Sequence, residues 1–282
     1  MGKVCLVLEG GGNRGIYTSG VLDAFMDNDV HIKDVYGVSA GALNALSYLS
    51  NQKGRSFRLN KEYMYNKESI DYKRVFLGAG ILNLDYILKE VNLNMDPLDL
   101  NTFHKNNNFV TVSTNIVTGA PVYKKIEDYN KDLEYIKASA SLPLFSNVVH
   151  VDGLKLLDGG LSDSIPVIKA LDDGYDKVIV VCTRNRDFIC RPYKFMNAYR
   201  AKYLKYRTLI KTMENRADKY NVTRDLIDDL VNKGKVLAIY PSELLIIKHI
   251  ESDFNKIDYA YNLGYNDALK RIEDIKKFIG DW

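Results

Sequence analysis

Ser39 stands at the centre of Gly37-Val38-Ser39-Ala40-Gly41, a G-x-S-x-G pentapeptide between the apolar pair Val35-Tyr36 and an apolar run from Ala42 to Leu49. A strand that turns sharply into a helix pushes one side chain out at its apex. Glycines such as Gly37 and Gly41 remove the Cβ atoms that would clash in so tight a turn. The hydroxyl would project from the carboxyl end of the strand, over a helix N-terminus whose free N–H groups and dipole favour developing negative charge. That is a setting for a nucleophilic serine; the plainer reading is a tight strand-to-helix turn that needs a small residue.

A second stretch, Glu9-Gly10-Gly11-Gly12-Asn13-Arg14-Gly15, follows the apolar run Val4 to Leu8 and opens a helical pattern at Ile16, Tyr17, Val21, Leu22 and Phe25. It reads three ways. Gly10-x-Gly12-x-x-Gly15 matches a dinucleotide-binding loop, but that reading wants an acid at the end of the second strand, where Gly37-Val38-Ser39 stands. A P-loop lacks its Gly-Lys-Ser/Thr ending. An oxyanion hole needs uncovered backbone N–H groups, which three successive glycines supply. In doubly wound sheets neighbouring strand ends converge on one crevice, which would bring this loop beside Ser39.

The base that would activate Ser39 is the next question. Of the four histidines, His31, His104, His150 and His249, only the last follows Asp158, as a Ser-Asp-His order requires, and none of the others sits at a strand end. A carboxylate does the same work when it is partly desolvated and within hydrogen-bond reach of the hydroxyl. Asp158 ends a strand-like run, and Gly159 and Gly160 after it let the backbone come close; the plain alternative is an Asp-Gly turn.

The elements that must position these residues follow from periodicity. Val4 to Leu8 is a continuous apolar run, as in a strand covered on both faces, and the strand-loop-helix plan repeats at Ser39, which predicts a parallel sheet with crossover helices. Residues 51–108 are polar, with helical patches such as Leu84 to Val91, and are expected to lie over the sheet, either as ordinary surface packing or as a lid. Phe109–Val117 with Val122–Ile126, and Asn147–Val151 with Leu154–Leu157 around Asp152-Gly153, predict two hairpins. Leu133–Ala140 reads as a short helix, Pro166 as the start of another, and Lys177–Cys182 as a buried strand. Beyond Arg184 the pattern predicts a long helical region from Tyr193 to about Val231, a strand from Val236 to Tyr240, and a final helix from Lys256 to Ile279.

Taken together and in this order, the glycine stretch, Gly37-Val-Ser-Ala-Gly41 and Asp158-Gly-Gly160 resemble the patatin-like phospholipases, as does the block Ala138-Ser-Ala-Ser-Leu-Pro-Leu-Phe145. The resemblance spans roughly residues 4–172, expected as a catalytic domain. Residues 173–282 are expected to complete the sheet with helices, and Val236–Ser242 and Asn262–Leu269 look like the extension of a bacterial subgroup. The resemblance implies an α/β three-layer sandwich with a mostly parallel central sheet. It also implies a serine lipid acyl hydrolase whose Ser39 is nucleophile and Asp158 base, without a histidine. Its oxyanion hole maps to the backbone of Gly10, Gly11 and Gly12 with the N–H of Ala40. Arg14 stands where similar proteins carry a basic residue that stabilises the loop or meets a lipid phosphate. Glu9 replaces the aspartate of plant members at a place that anchors the loop. Neither a cofactor nor a metal is required. A nucleotide-binding protein using the Gly10–Gly15 loop and a non-catalytic lipid-binding member are the competing readings.

The chain of 282 residues is long enough to bury a large core, and its net charge of +3 does not argue for nucleic acid. Cys5, Cys182 and Cys190 are odd in number and two lie in apolar runs, which fits reduced thiols in the cytoplasm. The first apolar run is too short for a signal peptide, Leu6 breaks the myristoylation pattern, and no window is long enough to span a bilayer. Between Arg184 and Lys211 stand nine Lys or Arg and one acid, Asp187, with Tyr199, Tyr203, Tyr206, Ile210 and Met213 on one helical face. Such a stretch either lies on anionic lipid or packs its stripe on the core with its charges solvated.

Overall fold

In the computed structural model, residues 2–64, 66–70, 80–248, 251 and 253–280 are described. Their centre is one eight-stranded sheet in the order β5-β6-β3-β2-β1-β7-β8, with β4 paired to β3. The first strand, β1 (Val4–Leu8), lies parallel to β2 (Asp34–Val38) on one side and to β7 (Lys177–Val181) on the other; β2 is parallel to β3 (Asn108–Asn115), and β7 to β8 (Val236–Ile239). The antiparallel part is confined to β4 (Pro121–Ile126), β5 (Val149–Val151) and β6 (Leu154–Asp158). The α/β class with a mostly parallel sheet is thus observed.

The continuous apolar runs are explained by the two faces they cover. Along β1, Leu6 and Leu8 join one core cluster and Cys5 and Val7 another; along β7, Ile179 and Val181 join the first and Val178 and Val180 the second. Each side chain removed from water this way contributes roughly 1.5–3 kcal/mol, whichever face it points to. The first face is covered by α1 (Gly15–Asp27), α2 (Ala40–Leu49), α5 (Tyr129–Ser139) and α10 (Phe254–Leu269), the second by α6 (Val167–Asp172) and α9 (Arg216–Asn232). This is the three-layer arrangement.

The predicted hairpins form. Asp152 and Gly153 have φ of 49° and 74°, the paired positive values that a two-residue turn of matching twist requires. The helical forecast for the C-terminal part is corrected in two places. The region 193–231 is three helices, α7 (Met196–Lys202), α8 (Arg207–Glu214) and α9, and the final helix is broken at Lys270-Arg271 into α10 and α11 (Ile272–Ile279). At the second break Arg271 turns its guanidinium to the Ala238 carbonyl at 2.8 Å. Within 51–108 lie α3 (Arg55–Glu62), a helical segment Tyr86–Met95 and α4 (Leu100–Asn106). Among the described residues no helix is long and apolar enough to cross a membrane.

Candidate active site

Ser39 occupies the elbow between β2 and α2 with φ 53° and ψ −120°, a conformation that costs a non-glycine residue about 1–3 kcal/mol. The fold holds it there from two sides. Its N–H donates to Ser139 Oγ at 3.0 Å, and Gly41 packs so closely beneath it that a Cβ there would lie 2.4 Å from the Leu8 carbonyl oxygen. The elbow is therefore clamped between the end of β1 and the start of α2, and only glycine fits at 41.

Sheet register brings Asp158 to the same level. Val38 pairs with Val112 on one side of β3, and Asp158 pairs with Ser113 on the other, so the residue after Val38 meets the last residue of β6 across one strand. Ser39 Oγ donates to Asp158 Oδ2 at 2.6 Å, and the other carboxylate oxygen accepts the Gly160 N–H at 2.7 Å. The Asp158 backbone is fixed by its N–H to the Ser141 carbonyl and by Thr114 Oγ1, which donates to the Asp158 carbonyl. Both side chains are buried, Ser39 at 6% and Asp158 at 3% exposure. Burial pushes the Asp158 carboxyl up to about 6, held back from a larger shift by the hydrogen bonds from Ser39 and Gly160 and by the charge of Arg216. It is ionised at neutral pH yet much more basic than a surface aspartate.

The glycine loop leaves β1 and passes directly over the elbow: a Cβ on Gly10 would lie 3.2 Å from that of Ser39. The three glycines are not equivalent. The Gly10 N–H is turned to the Ser164 carbonyl at 3.4 Å, and Gly12 sits at φ 55°. Glu9 anchors the loop by accepting the Thr183 N–H and the Tyr220 hydroxyl, the latter at 2.7 Å. Ala40 is the first residue of α2, so its N–H has no acceptor within the helix. Gly15 begins α1, and Arg14 beside it is buried, its Nε without a hydrogen-bond partner. Burial, then repulsion from Arg184, lowers the Arg14 guanidinium to about 10.

A third support comes from α9, and it is invisible in the sequence motifs. Arg216 Nε donates to the Gly160 carbonyl at 2.6 Å, and its Nη atoms reach Ser164 Oγ and Cys190 Sγ, both at 3.4 Å. One turn on, Tyr220 holds Glu9, and Arg224 in turn donates to the Tyr220 hydroxyl at 3.2 Å. Two successive turns of one helix thus brace the Asp158-Gly-Gly turn and the glycine loop. A basic residue three or four positions from an aromatic is too common on helices to have been singled out.

Ser39, Asp158, Gly10–Gly15 and Gly160 line one cavity of about 950 Å³. Leu59, Ile81, Leu82, Leu84 and Ile87 form an apolar wall, so segment 51–108 contributes a side of the chamber. Arg14, Arg184 and Arg216 give a cationic side. No histidine lines the cavity among the described residues. His31, His104 and His150 are exposed, His104 accepts the Tyr129 N–H, and His249 lies outside the described residues. Of the two readings of the aromatic stripe, packing on the core is the one observed. Tyr203, Met213 and the adjoining Tyr199, Tyr206 and Ile210 pack on Ile116, Leu157 and Leu161, and are held by the protein's own core.

A serine on a strand-to-helix elbow, facing a glycine loop in a three-layer α/β fold, is the architecture of a family of lipid hydrolases. The chain belongs to the patatin-like phospholipase family, whose model matches residues 6–171. A second model, described as a domain of unknown function (DUF6363), matches residues 206–280, which include α9. The chain is similar to an uncharacterized protein, YjjU, of Escherichia coli (strain K12), with 30% identity over 272 residues, covering 93% of this chain and 75% of that protein. Its fold is similar to that in the crystal structure of VipD from Legionella pneumophila, with a TM-score of 0.50 and 14% identity over 97% of this chain and 67% of that one.

Proposed function

We propose that the protein is a serine acyl hydrolase that cleaves carboxylic esters of lipids through a Ser39–Asp158 dyad. The observation that carries this reading is the 2.6 Å hydrogen bond from the strained, buried serine to a desolvated carboxylate, at the foot of an apolar-walled cavity. Asp158 accepts the hydroxyl proton as Ser39 Oγ attacks the ester carbonyl, and the N–H groups of Gly11, Gly12 and Ala40 receive the oxyanion. The alkoxide leaves with the proton from Asp158, and water, deprotonated by the same carboxylate, then releases the acid from the acyl-enzyme. Each oxyanion donor contributes on the order of 3 kcal/mol in the transition state. Arg14, buried and short of one partner, faces the polar end of the substrate and meets a phosphate there. Three free, buried cysteines support a reducing, cytoplasmic setting.

A fluorophosphonate probe tests the reading. The wild-type chain is expected to be labelled at one site, and Ser39→Ala not at all. A folded wild type that stays unlabelled, or a variant labelled equally, sinks the dyad. The competing nucleotide-binding reading predicts no labelling and measurable cofactor binding.

The pH dependence has a definite sign. The base works only when ionised, so kcat/KM is expected to climb as pH rises through about 6, the elevated position of Asp158, and to level off above it. Arg216→Ala removes a nearby cation that favours the ionised carboxylate, so the rising limb should move to higher pH. Slackening the Gly160 turn should also lower plateau turnover by about 10- to 100-fold. A pH profile of ester hydrolysis for both proteins decides this; an unmoved limb in the variant removes the electrostatic part.

A further inference from the structure

Burial of the tyrosine stripe does not end the question of how a lipid would reach the cavity, because other apolar side chains stand at its mouth. Ile189, Phe195 and Leu244 line the chamber and yet are 71%, 68% and 60% exposed. They therefore form its rim and not its wall. Ile189 and Phe195 belong to the connection between β7 and α7, and Leu244 to the one between β8 and α10, so two separate loops converge there. Large aliphatic and aromatic groups left in water around the opening of one cavity have an unmet demand for burial.

Charge identifies what meets that demand. Arg191 and Lys194 share the rim, both exposed, and Lys194 lies 5.6 Å from the centre of the Phe195 ring. Nine cations against one acid stand between residues 184 and 211 of a chain whose total is +3, so the rest of the molecule is net negative. Of these nine, Arg186 and Arg200 have carboxylate partners, Asp228 and Glu214, while Arg191 and Lys194 form no ion pair among the described residues. A protein partner would have to match apolar tips on two loops with solvated cations between them. An anionic bilayer does so without any special fit, taking the tips into the acyl boundary and the cations into the head groups.

We propose that this rim is a docking surface for an anionic phospholipid bilayer, with Ile189, Phe195 and Leu244 entering the interface and Arg191 and Lys194 meeting lipid phosphates. It rests on the lipid-hydrolase reading of the cavity below it, and it explains how a substrate acyl chain moves into an apolar chamber without crossing water.

The test uses the whole 282-residue chain carrying Ser39→Ala, so that binding is measured without turnover. Co-sedimentation is compared on phosphatidylcholine vesicles with and without about one third phosphatidylglycerol. Binding is expected to be at least about tenfold tighter to the anionic vesicles. Each Lys or Arg near an anionic surface contributes about fivefold, so Arg191→Ala with Lys194→Ala should lose at least about tenfold. Ile189→Glu with Phe195→Glu should abolish binding at an unchanged melting temperature. Equal binding to neutral vesicles, or undiminished binding by the folded Ile189→Glu/Phe195→Glu chain, overturns the proposal. So does self-association that this pair of changes abolishes in a protein that ignores vesicles, since the rim would then be covered by a second copy. Probe labelling of the wild type is read separately: labelled protein that does not bind vesicles refutes the surface alone, and unlabelled protein that binds refutes the chemistry alone.

Discussion

Ser39→Ala is expected to lower kcat/KM for a soluble ester by a factor approaching a million, and Asp158→Asn by about ten thousand. Combining the two should do no further damage than the serine change alone. The magnitudes follow from the way a nucleophile and its base act as a unit: once the attacking oxygen is gone, the base has nothing to activate. Asparagine keeps the size of the aspartate and leaves the Gly160 N–H an acceptor, but the atom then facing Ser39 Oγ is an amide nitrogen, a donor that cannot take the hydroxyl proton. Additive losses in the double variant would mean that another group activates the serine, and the exposed histidines would have to be reconsidered.

The same pair separates function from stability. Folding raises the Asp158 carboxyl from 3.8 to about 6, chiefly through burial. Between those values the native state binds more protons than the unfolded chain, so stability falls as pH rises through that window and stays lower above it. At neutral pH the ionised carboxylate therefore costs the fold roughly 3 kcal/mol relative to an unshifted group. Asp158→Asn removes that cost, and its unfolding midpoint should equal or exceed that of the wild type at pH 7, with the gap closing toward pH 4. Urea titrations at the two pH values measure it. An Asn variant that is weaker than the wild type at pH 7 and matches it at pH 4 would contradict the stated origin of the shift.

The parts of this molecule that were legible in the sequence are those in which neighbours along the chain decide the outcome. The elbow at Ser39 needs only a strand, two glycines and a helix in succession, and Asp152-Gly153 needs only its own turn geometry. The parallel sheet follows from two such units in a row. The placement of Asp158 opposite Ser39 is different, because it depends on β6 running against β3 and stopping after three pairs, at Ser113. No local pattern encodes where an antiparallel partner ends; the family resemblance supplied that proximity. Arg216 and Tyr220 were missed for a related reason, since they reach Gly160 and Glu9 from more than 50 positions away. The breaks after α7, α8 and α10 escaped periodicity because the apolar spacing continues through them. Asn215, between α8 and α9, has φ −85° and ψ −2°, close enough to helical that the pattern carries on while the axis turns. The tyrosine stripe shows the converse limit: its amphipathic spacing is legible, but spacing alone leaves core and lipid open as receivers of the apolar face, and the core receives it.

Gly264→Ala is expected to destabilise the protein by about 2–4 kcal/mol, a fall of roughly 5–10 °C in melting temperature for a chain of this size. An alanine in a helix interior is ordinarily better than glycine by about 1 kcal/mol, so helix propensity alone predicts the opposite sign. Packing decides the matter. The axes of α1 and α10 approach until backbone meets backbone: a Cβ at Gly264 would stand 2.0 Å from the Tyr17 carbonyl oxygen, and one at Gly20 would stand 2.0 Å from that of Tyr261. Neither obstacle is a side chain that can swing away. Relief requires the helices to separate by more than an ångström, which stretches the Tyr17 hydroxyl from Asp267, now at 3.2 Å. Asp267 also accepts the Ser242 N–H and hydroxyl, so the loop after β8 is drawn into the same shift. Because α1 continues directly from Arg14 and the glycine loop, the displacement reaches Gly11 and Gly12. Ester turnover should therefore fall together with stability, although residue 264 lies in the C-terminal helices and not in the segment that carries the family motifs. Gly20→Ala should behave alike, and the double variant should cost less than the sum, since one separation of the helices relieves both clashes. Differential scanning calorimetry of the three variants decides it, and a melting temperature above that of the wild type for either single change would refute the close crossing.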